Sequence, residues 1–339
     1  MTSATNQPDY LHICALFALS TSCNQAATGQ VKADGSSTVF PMTAAAAEDF
    51  HRLNGASVSV WISGTGGGFK RFCTGQTDVS NASRPIKPNE AELCRTNGVE
   101  YIELPVAYDG LAVVVNPKNT WAASITTAEL RRLWSPESEG QLTRWSQIRA
   151  GWPDQEIRLY GPGVDSGTYD YFTQAIIGKE DSSRKDYTSS EDDKVLVEGV
   201  ANDELALGYF GYAYFEDNKA RLTLLAVDDE DPSNGVGPIA PTVDTVSNGT
   251  YQPLSRPLFI YVAKNSLSRG ETLAFANYYV DRASEVASRV GYIPLPAAAY
   301  ALARARIDER RTGSVFGGKG SQVGVSIEDL LRAERQYAD

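Results

Sequence analysis

The chain predicts an α/β fold of two lobes, the second inserted into the first, with a cleft between them. Three observations carry this. Short β-branched or apolar runs alternate with helix-forming segments, the pattern of open, largely parallel sheets. At 339 residues the chain is too long for one ordinary core and fits two domains of about 150 residues each. An apolar, β-rich segment at Pro257–Val262 comes late enough to return the chain to the first lobe after an excursion.

The elements follow in order. Val31–Asp34 leads into Gly35-Ser36-Ser37-Thr38-Val39-Phe40-Pro41, and the Ala-rich segment Met42–Leu53 is the first helix. Val58–Ile62 alternates and is β-branched, hence a strand, and ends in Ser63-Gly64-Thr65-Gly66-Gly67-Gly68, after which Phe69–Cys73 starts a helix. Val79–Pro85 reads as a short strand, and Pro88–Thr96 as a helix with proline in its first turn. Tyr101–Val115 reads as two strands separated by Tyr108-Asp109-Gly110. A change of domain is expected at Asn116-Pro117. Beyond it come a helix at Thr126–Trp134, a strand at Ile157–Tyr160, the cluster Asp165-Ser166-Gly167-Thr168, and a helix from Thr168 to about Ile177. Val195–Asn202 is a helix, Ala206–Phe210 a strand, and the Pro/Asp/Gly-rich stretch Asp228–Pro241 a loop. Helices at about 270–283 and 326–337 complete the chain. The organisation is therefore 1–23 as a signal-like segment, 24–32 as a tether, 33–115 plus 252–339 as lobe 1, and 116–251 as lobe 2.

Composition narrows the function. A net charge of −11 disfavours nucleic acid, whose affinity comes largely from Lys and Arg neutralising phosphates. It does not exclude an anionic ligand, since a buried site is governed by local donors. Leu11–Leu19 is a short apolar run followed by Ser20-Thr21-Ser22-Cys23, as in an exported protein with a lipid-accepting Cys23. Two features depart from that pattern: no Lys or Arg precedes Lys32, and Ser20 sits where lipoprotein signals carry Leu. With Cys14 removed and Cys23 lipidated, Cys73 and Cys94 remain, either as a disulfide in an oxidising compartment or as two buried thiols.

Three Ser/Thr/Gly clusters at strand-to-helix transitions carry the chemistry. Short hydroxyls and bare backbone at helix starts present O–H and N–H donors together, with the positive end of the helix dipole behind them. One cluster is ordinarily an N-cap. Three, with an arginine at Arg84 and no nucleophile–base pair, point to a small oxyanion held without catalysis. Other patterns fail on inspection. Gly313–Lys319 approaches a nucleotide-binding loop, but position 320 is Gly where Ser or Thr must hold magnesium. His12 and His51 are the chain's two histidines, too few for His-based catalysis or metal ligation. No cofactor or metal is expected.

On these residues the chain resembles the phosphate-binding components of bacterial phosphate ABC importers, the PstS-like proteins, and more closely their cyanobacterial SphX branch. The resemblance rests on GSSTVFP at 35–41, SGTGGGFK at 63–70, SNASRPIK at 80–87, YDGLAVVVNP at 108–117, YGPGVDSGTYDYF at 160–172 and ALGYFGYAYFE at 206–216. It implies a two-lobe periplasmic-binding fold of type II that closes on phosphate, and a monomer outside the membrane that delivers phosphate to a permease. The ligand set it implies is Ser37, Thr38, Val39, Ser63, Thr65, Ser166, Gly167 and Thr168. The chain departs from the better-known branch twice. Arg84 stands where that branch has an Asp, and Pro162 where it has an Arg. Arg84 is therefore expected to supply the guanidinium from the opposite lobe, and Asp165 to replace the lost proton acceptor. The alternatives are another tetrahedral oxyanion (sulfate or arsenate), a phosphate-ester hydrolase, and a sensor or scavenger that serves no transporter.

Overall fold

The computed structural model describes residues 1–2 and 30–317; Cys23, the signal-like segment beyond Thr2 and the helix expected at 326–337 lie outside the described residues. From β1 (Val31–Gly35) the chain enters α1 (Phe40–Asn54), β2 (Val58–Val60), α2 (Gly64–Phe72), β3 (Val79–Ala82), α3 (Pro88–Thr96) and the long strand β4 (Tyr101–Val115). It continues through β5 (Ser124–Thr126), α4 (Thr127–Trp134), β6 (Arg158–Pro162), α5 (Gly167–Phe172), β7 (Thr188–Ser190), α6 (Asp193–Asn202), β8 (Ala206–Gly211) and α7 (Tyr212–Asn218). After β9 (Thr223–Leu224), β10 (Ala226–Asp228) and α8 (Val243–Ser247) it returns in β11 (Ser255–Ala263), followed by α9 (Gly270–Arg289) and α10 (Ala297–Asp308).

The main sheet runs β2-β1-β3-β11-β4-β8-β6-β7, with β9 also on β4. Its two ends are parallel, as expected: β2, β1 and β3 at one end and β8, β6 and β7 at the other. Its middle is not. β11 is antiparallel to both β3 and β4, and β4 is antiparallel to β8. The sheet is mixed because two long strands, rather than helical crossovers, carry the chain between the parallel ends.

β4 is one strand, not two. Tyr108-Asp109-Gly110 looks like a turn, yet Asp109 is in register with Arg256 of β11 and Gly110 with Ser255. The strand passes here from one core to another. Ile102, Leu104, Val106 and Ala107 pack with Val31, Met42, Phe50, Phe275 and Tyr279, while Leu111–Val115 pack with Trp134, Trp145, Phe172, Leu196 and Tyr209. A third cluster, around Phe69, Ile86, Phe259 and Tyr261, contains both Cys73 and Cys94. These two are joined as a disulfide, tying the end of α2 to α3.

Local sequence sets the helix ends. Pro41 sits in the first turn of α1, and Gly55 closes it with φ 69°, a conformation that costs glycine nothing. Thr126 caps α4 by accepting from Glu129 N at 3.1 Å while Glu129 reaches back to Thr126 N at 2.9 Å, the reciprocal arrangement that a Thr-x-x-Glu spacing permits. α2 begins at Gly64, inside the glycine cluster and earlier than expected, because Gly64 adopts φ 74° to turn out of the strand. Towards the end of the described residues, Gly313–Gly317 is tied to the body of the protein. Gly313 N donates to Tyr101 O at 2.8 Å, and Phe316 is buried in the third cluster.

Candidate functional site

The three clusters converge where the two ends of the sheet face each other. Thr38, in the loop before α1, places its hydroxyl 3.1 Å from that of Thr168 at the start of α5. Gly167 fits so closely against the other side that an added Cβ would lie 2.6 Å from Ser83 Oγ and 2.6 Å from Thr65 Oγ1. Thr65 and Ser83 are themselves 3.2 Å apart, and Thr65 Oγ1 also accepts from Ser83 N. Ser37, Thr38, Thr65, Ser83, Ser166 and Thr168 are all buried. The supporting loops are fixed from behind, where Tyr214 donates to Ser37 O at 2.9 Å and Tyr292 to Thr38 O.

The guanidinium beside these hydroxyls belongs to Arg256. Its Nη2 donates to Thr168 Oγ1 at 2.7 Å and to Thr38 Oγ1 at 3.4 Å, and its Nη1 to Gly167 O at 3.1 Å. Asp109, its register partner across β4 and β11, accepts from Arg256 Nη2 at 3.0 Å and from Tyr212 N at 3.1 Å. Both side chains are fully buried. Burial pushes the Asp109 carboxyl up, against the opposing pull of Arg256. Asp109 holds one edge of the planar fork, and the other edge is turned to Gly167 O and the two threonine hydroxyls, the fork geometry that also suits a tetrahedral anion.

A second carboxylate faces the first cluster. Asp193, the first residue of α6, accepts from Ser37 Oγ at 3.3 Å and from Thr38 Oγ1 at 3.5 Å. It is buried, and burial raises its pKa to about 7, with Arg256 pulling it down and Asp109 pushing it further up.

Set beside known proteins, residues 20–283 match the PBP superfamily domain. The chain is 51% identical to Protein SphX of Synechococcus elongatus over 90% of this chain and 88% of that one. It is 35% identical to the phosphate-binding protein PstS of Staphylococcus saprophyticus over 83% and 85% of the two chains. The chain belongs to the PstS–SphX family. Among solved structures, that of "a possible phosphate binding protein" from Planctomyces limnophilus is 42% identical, with a TM-score of 0.61, over 84% of this chain and 99% of that one.

The PstS–SphX resemblance named most of the converging hydroxyls, but it assigned two charged groups that the structure places otherwise. Arg84 does not turn its charge to the hydroxyls. Its Nη1 and Nη2 grip Glu90 at 2.7 and 2.8 Å, its Nε donates to Asp170 at 2.5 Å, and Nη1 also reaches Pro85 O at 3.0 Å. Two carboxylates close by are a stronger pull than neutral hydroxyls. Asp165, the expected proton acceptor, points to the rim. It pairs with Lys70 at 2.7 Å with its side chain 41% exposed, because Gly66 N holds its backbone carbonyl at 2.8 Å and Glu191 accepts from its N–H at 3.1 Å.

The remaining residues of the implied set are Val39, Ser166 and Ser63. Val39 buries its side chain in the first core and precedes the first residue of α1, so only its backbone can serve the cleft. Ser166 caps α5, its Oγ accepting from Thr168 N at 3.1 Å. Ser63 precedes α2, and its buried Oγ has no protein partner. Arg256, Asp109, Asp193 and Ser83 were not assigned to the site from the sequence; the run Ser189–Asp193 reads there as a solvated helix cap with an acidic first turn. A signal did exist for two of them. Asp109 is one of two acids, with Glu103, in a 15-residue strand, and Arg256 is a lone base at the head of an apolar strand; opposite charges with nowhere to go but inward are candidates for each other.

Proposed function

We propose that this protein is the phosphate-binding component of an ABC-type phosphate uptake system, closing its two lobes on one inorganic phosphate without chemical change. The observation that carries this reading is the buried Arg256 fork lying between Thr38 and Thr168, one hydroxyl from each end of the sheet. A phosphate entering there exchanges weak hydroxyl–hydroxyl contacts for charge-assisted bonds, each worth about 1.5–3 kcal/mol. The ligand set we assign is Ser37, Thr38, Thr65, Ser83, Gly167, Thr168 and Arg256, with Ser63, Ser166 and the Val39 backbone at its edge. Asp193 replaces Asp165 as acceptor of the phosphate proton. Sulfate has no proton to give, so a buried carboxylate that must accept one separates the two anions.

The lobes run 33–115 plus 252–317 and 116–251. The protein acts outside the cytoplasmic membrane as a monomer, tethered through Cys23 and serving a permease of its own system. Titration calorimetry tests the reading. Inorganic phosphate should bind with a dissociation constant of micromolar or below, equivalent to about 8 kcal/mol or more. An excess of sulfate should not displace it, and a chromogenic phosphate ester should not turn over. Absence of phosphate heat, or tighter binding of sulfate, rejects the assignment.

A further inference from the structure

Beside the hydroxyl ring lies a charged cluster that the ligand does not explain. Arg84, in the loop after β3, holds Glu90 of α3 on its own side and Asp170 of α5 on the other. Lys87, from the same loop, joins it 3.0 Å from Asp170, 3.0 Å from Asp181 and 3.5 Å from Glu180. The Arg84 and Asp170 side chains are each 2% exposed. Phe69 and Ile86 anchor the Arg84 loop in one core, whereas Tyr171 and Phe172, next to Asp170, lie in another. The pair therefore links segments anchored in two different cores.

Opening the cleft separates these partners unequally. Arg84 keeps Glu90, which travels with it, but Asp170 loses both of its cations. Asp170 also lies in the first turn of α5, and the Arg84 stem packs on that turn, its Cγ 3.0 Å from where a Cβ on Gly167 would stand. Gly167 and Thr168 are the donors that α5 brings to the ring. We propose that Arg84, Lys87 and Asp170 form a closure latch: positioning residues that hold α5 against the ring, favour the closed form with or without ligand, and set how fast a bound oxyanion leaves. The latch touches no ligand itself, and it rests on the phosphate-binding reading. Burial pushes Asp170 up to about 7 against the pull of Arg84 and Lys87, so its desolvation is a real cost of closing. Removing one partner of a buried pair strands the other, and the closed state suffers most. Such a loss falls mainly on the dissociation rate.

The test is a variant series read by stopped-flow release of labelled inorganic phosphate. Asp170→Asn and Lys87→Met should each speed release by at least about fivefold and change association by less than about twofold. The double variant should speed release by less than the product of the two single effects, since both remove the Lys87–Asp170 contact while Lys87 also reaches Asp181 and Glu180. Arg84→Lys should release phosphate more slowly than Arg84→Met, because it restores the charge without the fork. Unchanged release rates, or additive effects in the double variant, overturn the latch. Small-angle scattering of the ligand-free protein judges it separately from phosphate: Asp170→Asn should be more expanded than the wild type, and equal radii of gyration overturn the latch. A wild type that takes up no phosphate, beside an expanded Asp170→Asn, overturns the binding reading instead.

Discussion

Asp193 meets the first cluster from the opposite end of the sheet, 3.3 Å from Ser37 Oγ, among groups of both signs. Arg256 favours its charged form, while Asp109 and the neighbouring Asp192 oppose it. Burial outweighs the rest and lifts it to about 7. Above that pH the carboxylate is ionised and can only accept, so the bound anion must bring a proton. Below it, Asp193 carries a proton of its own and can donate to sulfate. The preference for phosphate over sulfate should therefore narrow as the pH falls through 7. Asp193→Asn should reduce the pH dependence to that of phosphate's own ionisation, weaken phosphate by about tenfold, and let sulfate bind within about tenfold of it; competition calorimetry at two pH values checks this. The same shift has a stability sign. An acid raised by burial costs the fold stability above pH 7, and the cost is relieved as the pH drops toward the ordinary carboxylate range. Of the site's residues, the hydroxyls were legible because Ser, Thr and Gly at helix starts have a local meaning. The charges were not. Arg84 and Asp165 were placed by sequence position, whereas their partners Glu90, Asp170 and Lys70 compete for them in space.

The helix starts bring the donors into place, and each does so by a close approach. Gly167 leads α5 into the space between Ser83, Thr65 and the Arg84 stem. Gly167→Ala should lower phosphate affinity by at least about tenfold, or about 1.4 kcal/mol, and titration giving an unchanged affinity would remove the close approach from the account. The disulfide acts on the same pair of loops from the far side. It joins residues 21 apart where α2 meets α3, and α3 carries Glu90. Cys94→Ser should cost about 2–5 kcal/mol in urea denaturation, and no loss would mean that the bridge constrains nothing the core does not already fix. Elements with a local signature were legible in the chain: Pro88–Thr96 is helical over its expected length, and Thr126 caps its helix. β4 was not, because Asp109 and Gly110 are turn formers by type. Their place in the ladder depends on Arg256, more than a hundred residues away. No window of sequence contains both.

In the molecule as a whole, the mixed sheet explains how a chain of net charge −11 can hold an anion. Among the described residues most acids are not buried, while Arg256 sits on β11, paired with Asp109 of β4, the strand that runs through two of the cores. The alternation of strands and helices made the two-lobe class readable from sequence. The antiparallel centre was not, since strand direction follows from which strands pair, and that is settled by long-range packing. The account's central claim is that hydroxyls from both ends of the sheet gather around Arg256 to hold one dehydrated tetrahedral anion. A crystal structure grown with phosphate in the presence of competing sulfate tests it most directly. The account predicts a single phosphate within hydrogen-bond reach of Thr38, Thr168 and the Arg256 guanidinium, with Asp193 on its protonated oxygen and Arg84 still gripping Glu90 and Asp170. An anion bound instead on Arg84, or sulfate in place of phosphate, would contradict it.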